Sequence, residues 1–330
     1  MSMNTLIAAF PSNITEALEI ASNAKISPSN REIKNILICG MGGSGIGGKL
    51  VAKWLEDELP VPVAFTNDYG IPGFVSENTL VIGSSYSGNT EETISSVEAA
   101  LSKGARLIGV CSGGRMKELC DEGNFDVIVV PGGNPPRTAL AFSIVQLLHI
   151  FSQLGLSSAT RLDEVEKARQ LIVDEEIEIK EIATSLAAFL KGNVGILYGT
   201  TAYDPVLVRA RQQFNENGKL LCWHHAIPEM NHNELVGWGG GDDRFATVFF
   251  ETEDIHKRNK KRMDISRDVI AKKSSKVFNV LAKGGSQIER SLYLINIVDW
   301  SSLYLSEMKE VDPIDIQVID YLKDTLANFE

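Results

Sequence analysis

Basic residues are in short supply. Lys and Arg number 32 against 43 Asp and Glu, a formal net charge of -11. The overall field therefore repels nucleic acid and anionic membrane, and any anion the chain binds must be captured by local geometry. Cysteine is scarce as well: Cys39, Cys111, Cys120 and Cys222 show no C-x-x-C spacing and mostly sit in or beside apolar runs. That pattern argues against a thiolate metal site or a redox pair and points to reduced core residues. The five histidines lack H-x-H or H-E-x-x-H spacing, so no metal is implied. No segment runs 18 apolar residues, and the opening MSMNTLIAAFPSN has no basic n-region. A spanning helix and a secretory signal are both unexpected, and the expected location is the cytoplasm.

What is present is an α/β rhythm. The 330 residues are 44% hydrophobic, enough for two domains each with a core. NILIC (35–39), PVAFT (62–66), TLVIGSS (79–85), RLIGVC (106–111) and FDVIVV (125–130) alternate with helical patterns and Gly/Ser/Asn-rich turns. Such alternation predicts a parallel sheet with helices on both faces. A helix over 136–154, with Gly155 as its C-cap, closes this unit. Residues 156–191, polar and carrying the acidic run Asp174-Glu175-Glu176, read as one connecting helix.

From residue 192 the pattern restarts, with Gly195-Ile196-Leu197-Tyr198-Gly199 echoing Leu37-Ile38-Cys39-Gly40, then FATVFFET and KVFNVLA as further strands. The fold class is thus α/β: two doubly wound parallel-sheet domains, 1–155 and 192–330, joined by a helix over 156–191. The basic stretch 256–262 reads as a solvated helix face. Residues 288–308 form a long buried helix, and Asp312-Pro313 followed by Asp315 supplies an N-cap, an N1 proline and an N-terminal carboxylate for a last helix.

GMGGSGIGGKL (40–50) follows the first strand and enters a helix, a place where bare backbone N–H groups and the helix N-terminus favour a phosphate. Gly40-x-Gly42-x-x-Gly45 fits a dinucleotide fingerprint, with Asp68 where a ribose-binding acid would sit. A P-loop reading fails because Leu50 stands in place of the Ser/Thr that holds magnesium. A third reading is a phosphomonoester cup. In it Gly42, Gly43 and Ser44 face a second turn, SSYSGNTEET (84–93), whose Ser85, Ser87 and Thr90 bring hydroxyls to another strand end and helix N-terminus. Those residues could instead only cap the helix, with Glu91 or Glu92 completing a capping box.

Strand-GMGGSG-helix followed by strand-SSYSGNTEET-helix resembles the sugar isomerase (SIS) domain, a doubly wound fold that binds phosphosugars through such loops. NENGK (215–219), PEMNHNEL (228–235) and SEMKEVDP (306–313) resemble more narrowly the bifunctional phosphoglucose/phosphomannose isomerases, which have two such domains. The resemblance implies an aldose-ketose isomerase acting on hexose 6-phosphates without a cofactor, as a homodimer with substrate at the interface. On the matching residues it implies Glu216 as the base that moves a proton between C1 and C2. It further implies His232, contributed by the neighbouring subunit, and Lys309 as ring-opening groups. The amides of Asn231 and Asn233 are expected to fix the His232 ring.

Arg137 is a candidate for stabilising the enediolate. Ser302, seven residues before Lys309 and on the same helix face, is a candidate to leave room at the sugar for the C2 epimer. His149, His224, His225 and His256 carry no assigned role. Two other function classes stay open, a phosphosugar-binding regulator without chemistry and an NAD(P)-binding oxidoreductase.

Overall fold

The computed structural model describes residues 1–329 and divides into two compact units. The first comprises Ala8–Asp174 and Lys283–Tyr293; the second comprises Met1–Ile7, Glu175–Ala282 and Leu294–Glu330. No helix among the described residues is long and apolar enough to cross a membrane.

In the first unit β1 (Asn35–Cys39), β2 (Val63–Thr66), β3 (Thr79–Ser84), β4 (Arg106–Cys111) and β5 (Asp126–Val129) form a parallel sheet in the order β2-β1-β3-β4-β5. The inner strands β1, β3 and β4 are buried almost end to end. Their uninterrupted apolar runs are what two covered faces demand, whereas β2 and β5, at the edges, are half-exposed. The helices of this half of the chain are α1 (Met3–Ala8), α2 (Phe10–Asn23), α3 (Gly42–Trp54), α4 (Glu91–Leu101), α5 (Gly114–Gly123), α6 (Leu140–Gln153) and α7 (Thr160–Asp174). Val97, Met116 and Leu119 pack with Leu37, Val81 and Leu107 on one side of the sheet. This strand order reverses direction between β1 and β3, and open α/β sheets bind ligands in the crevice at such a switch point.

The second unit repeats the plan on a smaller scale. Here β6 (Val194–Thr200), β7 (Cys222–Ile227), β8 (Phe245–Glu251) and β9 (Val277–Leu281) run parallel in the order β7-β6-β8-β9. The helices of this half are α8 (Glu176–Leu190), α9 (Asp204–Glu216), α10 (Glu234–Gly237), α11 (Lys257–Ala271), α12 (Gln287–Met308) and α13 (Gln317–Ala327). Tyr198, Met230, Trp238, Phe249, Met263 and Ile270 make a core on one face.

Three boundaries differ from the sequence expectation. The connecting helix over 156–191 is two helices, α7 and α8, broken at Glu175. Carboxylates oppose the negative end of a helix dipole and favour the positive end, so the 174–176 run ends one helix and starts the next. The helix foreseen from Pro136 begins at Leu140, because Pro136–Thr138 form a separate 3-10 turn whose Thr138 hydroxyl donates to the Pro135 carbonyl. The last helix begins at Gln317: Asp312 accepts from the Ile314 amide at 2.8 Å and Asp315 from the Gln317 amide at 2.9 Å, making turns rather than a cap at Asp312.

Inside the second unit Arg209 on α9 donates to both carboxylate oxygens of Asp299 on α12, at 3.1 and 2.9 Å, and Gln213 adds a third bond at 2.8 Å. All three are buried. Burial pushes the Asp299 carboxyl up, and Arg209 and Gln213 oppose that shift. Taking one member from a buried ion pair leaves the other uncompensated, so Arg209→Met is expected to cost about 3–5 kcal/mol of folding stability. Urea denaturation of the variant against the parent measures it, and Arg209→Met/Asp299→Leu should recover a large part of the loss.

Candidate functional site

At the carboxyl edge of the first sheet, the turns after β1 and β3 are knit together by one serine. Ser44, in the first turn of α3, accepts the Tyr86 amide at 3.0 Å through its hydroxyl, and its carbonyl accepts from Ser84 Oγ at 3.5 Å. The two loops singled out in the sequence therefore meet. A third segment closes on them: a Cβ on Gly43 would lie 2.8 Å from the Pro136 carbonyl oxygen and 3.4 Å from Arg137 Cα. Only glycine allows that approach, which brings the backbone of buried Arg137 to the start of α3.

In the second loop Ser85 and Thr90 share a hydroxyl-hydroxyl bond of 3.0 Å. Thr90 is the N-cap residue of α4, yet its side chain makes no cap bond, so the capping-box alternative is not what forms. Ser87 Oγ, at the exposed tip, accepts the Asn89 amide at 3.3 Å. Gly88 has φ +75, and a Cβ there would lie 1.7 Å from the Gly113 carbonyl oxygen, which makes glycine obligatory in this turn. The loop gathers the hydroxyls of Ser85, Ser87 and Thr90 beside the positive end of α4, whose N-cap side chain makes no cap bond, a setting suited to a small anion. Asp68, the acid a dinucleotide would need, is exposed past β2 and accepts the Tyr69 amide at 2.8 Å.

A larger cavity, about 590 Å³, opens at the opposite edge of this sheet. Two of its charged residues, Arg106 and Asp126, pair with each other at 2.9 Å and with Ser27.

In the second unit the candidate base and the candidate lysine are brought together. Glu216 ends α9 and is half-buried; the four residues after it make a sharp turn. Lys309 Nζ donates to the Gly218 and Lys219 carbonyls at 2.8 and 2.7 Å. Lys219 Nζ donates to the Glu216 carbonyl at 2.6 Å and to the Asp315 carbonyl at 2.8 Å. Burial pulls the Lys309 ammonium below the ordinary lysine range. Behind the turn Asn217 Nδ2 donates to Ser302 Oγ at 3.0 Å, and the Ser302 hydroxyl donates to the Asp299 carbonyl at 2.7 Å. Ser302 is fully buried and supports this turn from α12.

His232 sits exposed at the end of a short 3-10 helix, Glu229–His232. Its neighbours do not hold its ring, contrary to expectation. Asn231 Nδ2 donates to Ser266 Oγ at 2.7 Å, while Asn233 donates to Glu229 and accepts the Glu234 amide. Asn231 ties the loop to α11 and Asn233 caps α10 instead.

Sequence reasoning missed Glu234. Its carboxylate accepts from Tyr198 Oη at 2.5 Å and Trp223 Nε1 at 3.0 Å, and His225 Nδ1 lies 2.7 Å away. Trp238 Nε1 in turn donates to Tyr198 Oη at 3.0 Å. Burial first, then the Glu234 carboxylate, pushes the Tyr198 phenol far above its ordinary range, so it stays a donor. This network pins the loop carrying His232 to β6 and β7. The available signal was the alternation Trp223-x-His225, which puts both side chains on one face of a strand.

Two outcomes follow from these contacts. Gly43→Ala should displace the Pro136–Arg137 backbone and lower the melting temperature measured by calorimetry, since its Cβ meets main chain rather than a movable side chain. Lys309→Met strips two carbonyls of their donor and should cost about 1–3 kcal/mol in chemical denaturation.

Residues 31–151 match the SIS domain, and residues 179–326 match the bacterial phospho-glucose isomerase C-terminal SIS domain. The chain is 37% identical to a Caldicellulosiruptor bescii protein named bifunctional phosphoglucose/phosphomannose isomerase, over 97% of each chain. An Aquifex aeolicus protein of the same name is 33% identical, covering 89% of this chain and 90% of its own length. Among solved structures, the C-terminal domain of glucosamine-fructose-6-phosphate aminotransferase from Francisella tularensis superposes with a TM-score of 0.74 at 16% identity, over 94% of this chain and 96% of that one. That last likeness is one of fold.

Proposed function

Because the chain belongs to the SIS-domain family and is related to the bifunctional phosphoglucose/phosphomannose isomerases, we propose that it interconverts glucose 6-phosphate, and also mannose 6-phosphate, with fructose 6-phosphate. The observation that carries this reading is the turn after Glu216, where two lysines bind main-chain carbonyls and Asn217 binds Ser302, fixing the backbone beside the half-buried Glu216.

In this reading Gly42, Gly43, Ser44, Ser85, Ser87 and Thr90 hold the terminal phosphate through backbone N–H groups and hydroxyls, aided by the α4 dipole. Glu216 takes the C2 proton of the open-chain aldose and returns it to C1. The C–H electron pair moves into the C1–C2 bond and O1 gains the negative charge; the O2 hydroxyl proton passes to O1 before C1 takes its proton and C2–O2 becomes the carbonyl, so no redox partner is needed. Arg137 steadies that developing charge. Lys309, whose proton is loosened by burial, assists ring opening together with His232 of a neighbouring subunit in a homodimer. Ser302 acts through Asn217, keeping the Glu216 turn in position rather than touching the sugar.

The test is a coupled assay: fructose 6-phosphate with glucose-6-phosphate dehydrogenase, alongside a separate mannose readout. Glu216→Gln should lose at least about 100-fold in kcat, as removal of a general base does, while fructose 6-phosphate still stabilises the protein against heat. Binding without turnover in the parent would instead make it a phosphosugar-responsive regulator. Stabilisation by NAD(P) but by no hexose phosphate would make it a dinucleotide-binding protein.

A further inference from the structure

The segment after Lys309 ends in a helix with no buried residue. In α13 the side chains of Val318, Ile319, Leu322 and Leu326 fall within about 100° of one another around the axis. They are 82%, 39%, 56% and 42% exposed, and no residue of the helix is buried. Tyr321, on a flank, and Phe329, just past the last turn, are exposed as well. Asp320, Lys323 and Asp324 lie away from the stripe. A helix of 11 residues is below the length that holds its shape alone in water. An uncovered stripe on so short a helix therefore calls for a partner surface.

Charge and area select the partner. A helix that lies on a membrane carries a Lys- and Arg-rich polar face. This one has a single lysine against two aspartates, in a chain of net charge -11. The stripe itself is uncharged, so two acidic chains can meet there without like-charge contact. The exposed apolar side chains of α13 with Phe329 amount to several hundred Å², the scale of the roughly 800 Å² per partner in a standard stable interface. A two-fold arrangement uses the same patch on both copies and needs no second complementary surface.

We propose that α13 is a docking element for a second copy of this chain. The inference names a surface for the homodimer proposed above and rests on that reading. It also gives the contact a consequence for the site. Asp315, whose carboxylate accepts the first amide of α13, is held through its carbonyl by Lys219, and the same ammonium holds the Glu216 carbonyl. Seating α13 on a partner thereby steadies the segment that braces the Glu216 turn.

Sedimentation velocity of the full chain at tens of micromolar, with Leu322→Asp and the milder Val318→Ala/Leu322→Ala, tests this. The parent should sediment as a dimer, Leu322→Asp as a monomer with unchanged far-ultraviolet circular dichroism, and the double alanine variant with dimer dissociation weakened at least tenfold. Hydrogen exchange on the parent needs no variant: α13 amides should be protected in the dimer and lose protection on dilution to monomer. A parent that stays monomeric overturns both this inference and the homodimer reading. A dimer that persists in Leu322→Asp, or whose α13 amides exchange freely, overturns the α13 contact alone. Binding of α13 to vesicles of phosphatidylglycerol and phosphatidylcholine in place of dimerisation overturns it too.

Discussion

The candidate chemistry rests on a backbone turn held by ammonium groups. After Glu216 the chain reverses through Gly218 and Lys219, and Lys219 adopts φ +48, a left-handed conformation that a side chain disfavours. A Cβ on Gly218 would press on Leu305 at 2.9 Å and on the Phe214 carbonyl oxygen at 3.0 Å, so the turn is packed as tightly as its main chain permits. What keeps it there is the pairing of carbonyls with cations: Lys309 takes those of Gly218 and Lys219, and Lys219 takes those of Glu216 and Asp315. The carbonyls of Glu216, Gly218 and Lys219 lie at or just past the negative end of α9, where a positive charge is favoured. The backbone position of Glu216 thus depends on ammonium groups bound to the main chain around it.

The same dependence extends inward. Asn217 joins the turn to Ser302, Ser302 is bonded to the Asp299 carbonyl, and the Asp299 carboxylate is the acceptor for Arg209 and Gln213 on α9. The chain of contacts starts and ends on the helix that carries Glu216, passing through α12. Leaving a buried polar group unpartnered costs free energy, and here the partners belong to the two elements whose relative placement sets the turn. The ion pair is a way to fix geometry more than a source of net stability.

Much of this was legible in the sequence because it is written in periods and punctuation. The alternating apolar runs located the strands, and GMGGSG and SYSGNT marked the two turns because Gly43 and Gly88 are required by close main-chain approach. NENGK placed Glu216 at a helix end. What could not be read was pairing across long separations. Nothing local to Lys309 says that its ammonium bonds carbonyls at 218 and 219, and nothing local to Glu234 says that Tyr198 and Trp223 converge on it. The asparagines flanking His232 misled for a related reason: an amide next to a ring in sequence is as free to bond the loop's own backbone, and in Asn233 that is what happens. Helix boundaries failed where short-range Asp and Thr bonds outcompeted the helix, at Thr138, Asp312 and Asp315.

The acidity of the chain bears on the phosphate site proposed above. With a net charge of -11 the long-range field opposes an approaching phosphate. Lysines in the first unit's loops would offset that field, yet the turns after β1 and β3 carry none between Gly40 and Gly48 or between Ser84 and Thr93. Their donors are neutral hydroxyls and main-chain N–H groups, locked by Ser44, Ser85 and Thr90. Such donors act only at contact distance, so they discriminate by shape where a cluster of cations would attract any anion. In the proposed reading, a cup of neutral donors selects a terminal phosphate by shape, and the close main-chain approach that Gly43 and Gly88 permit is the condition for it.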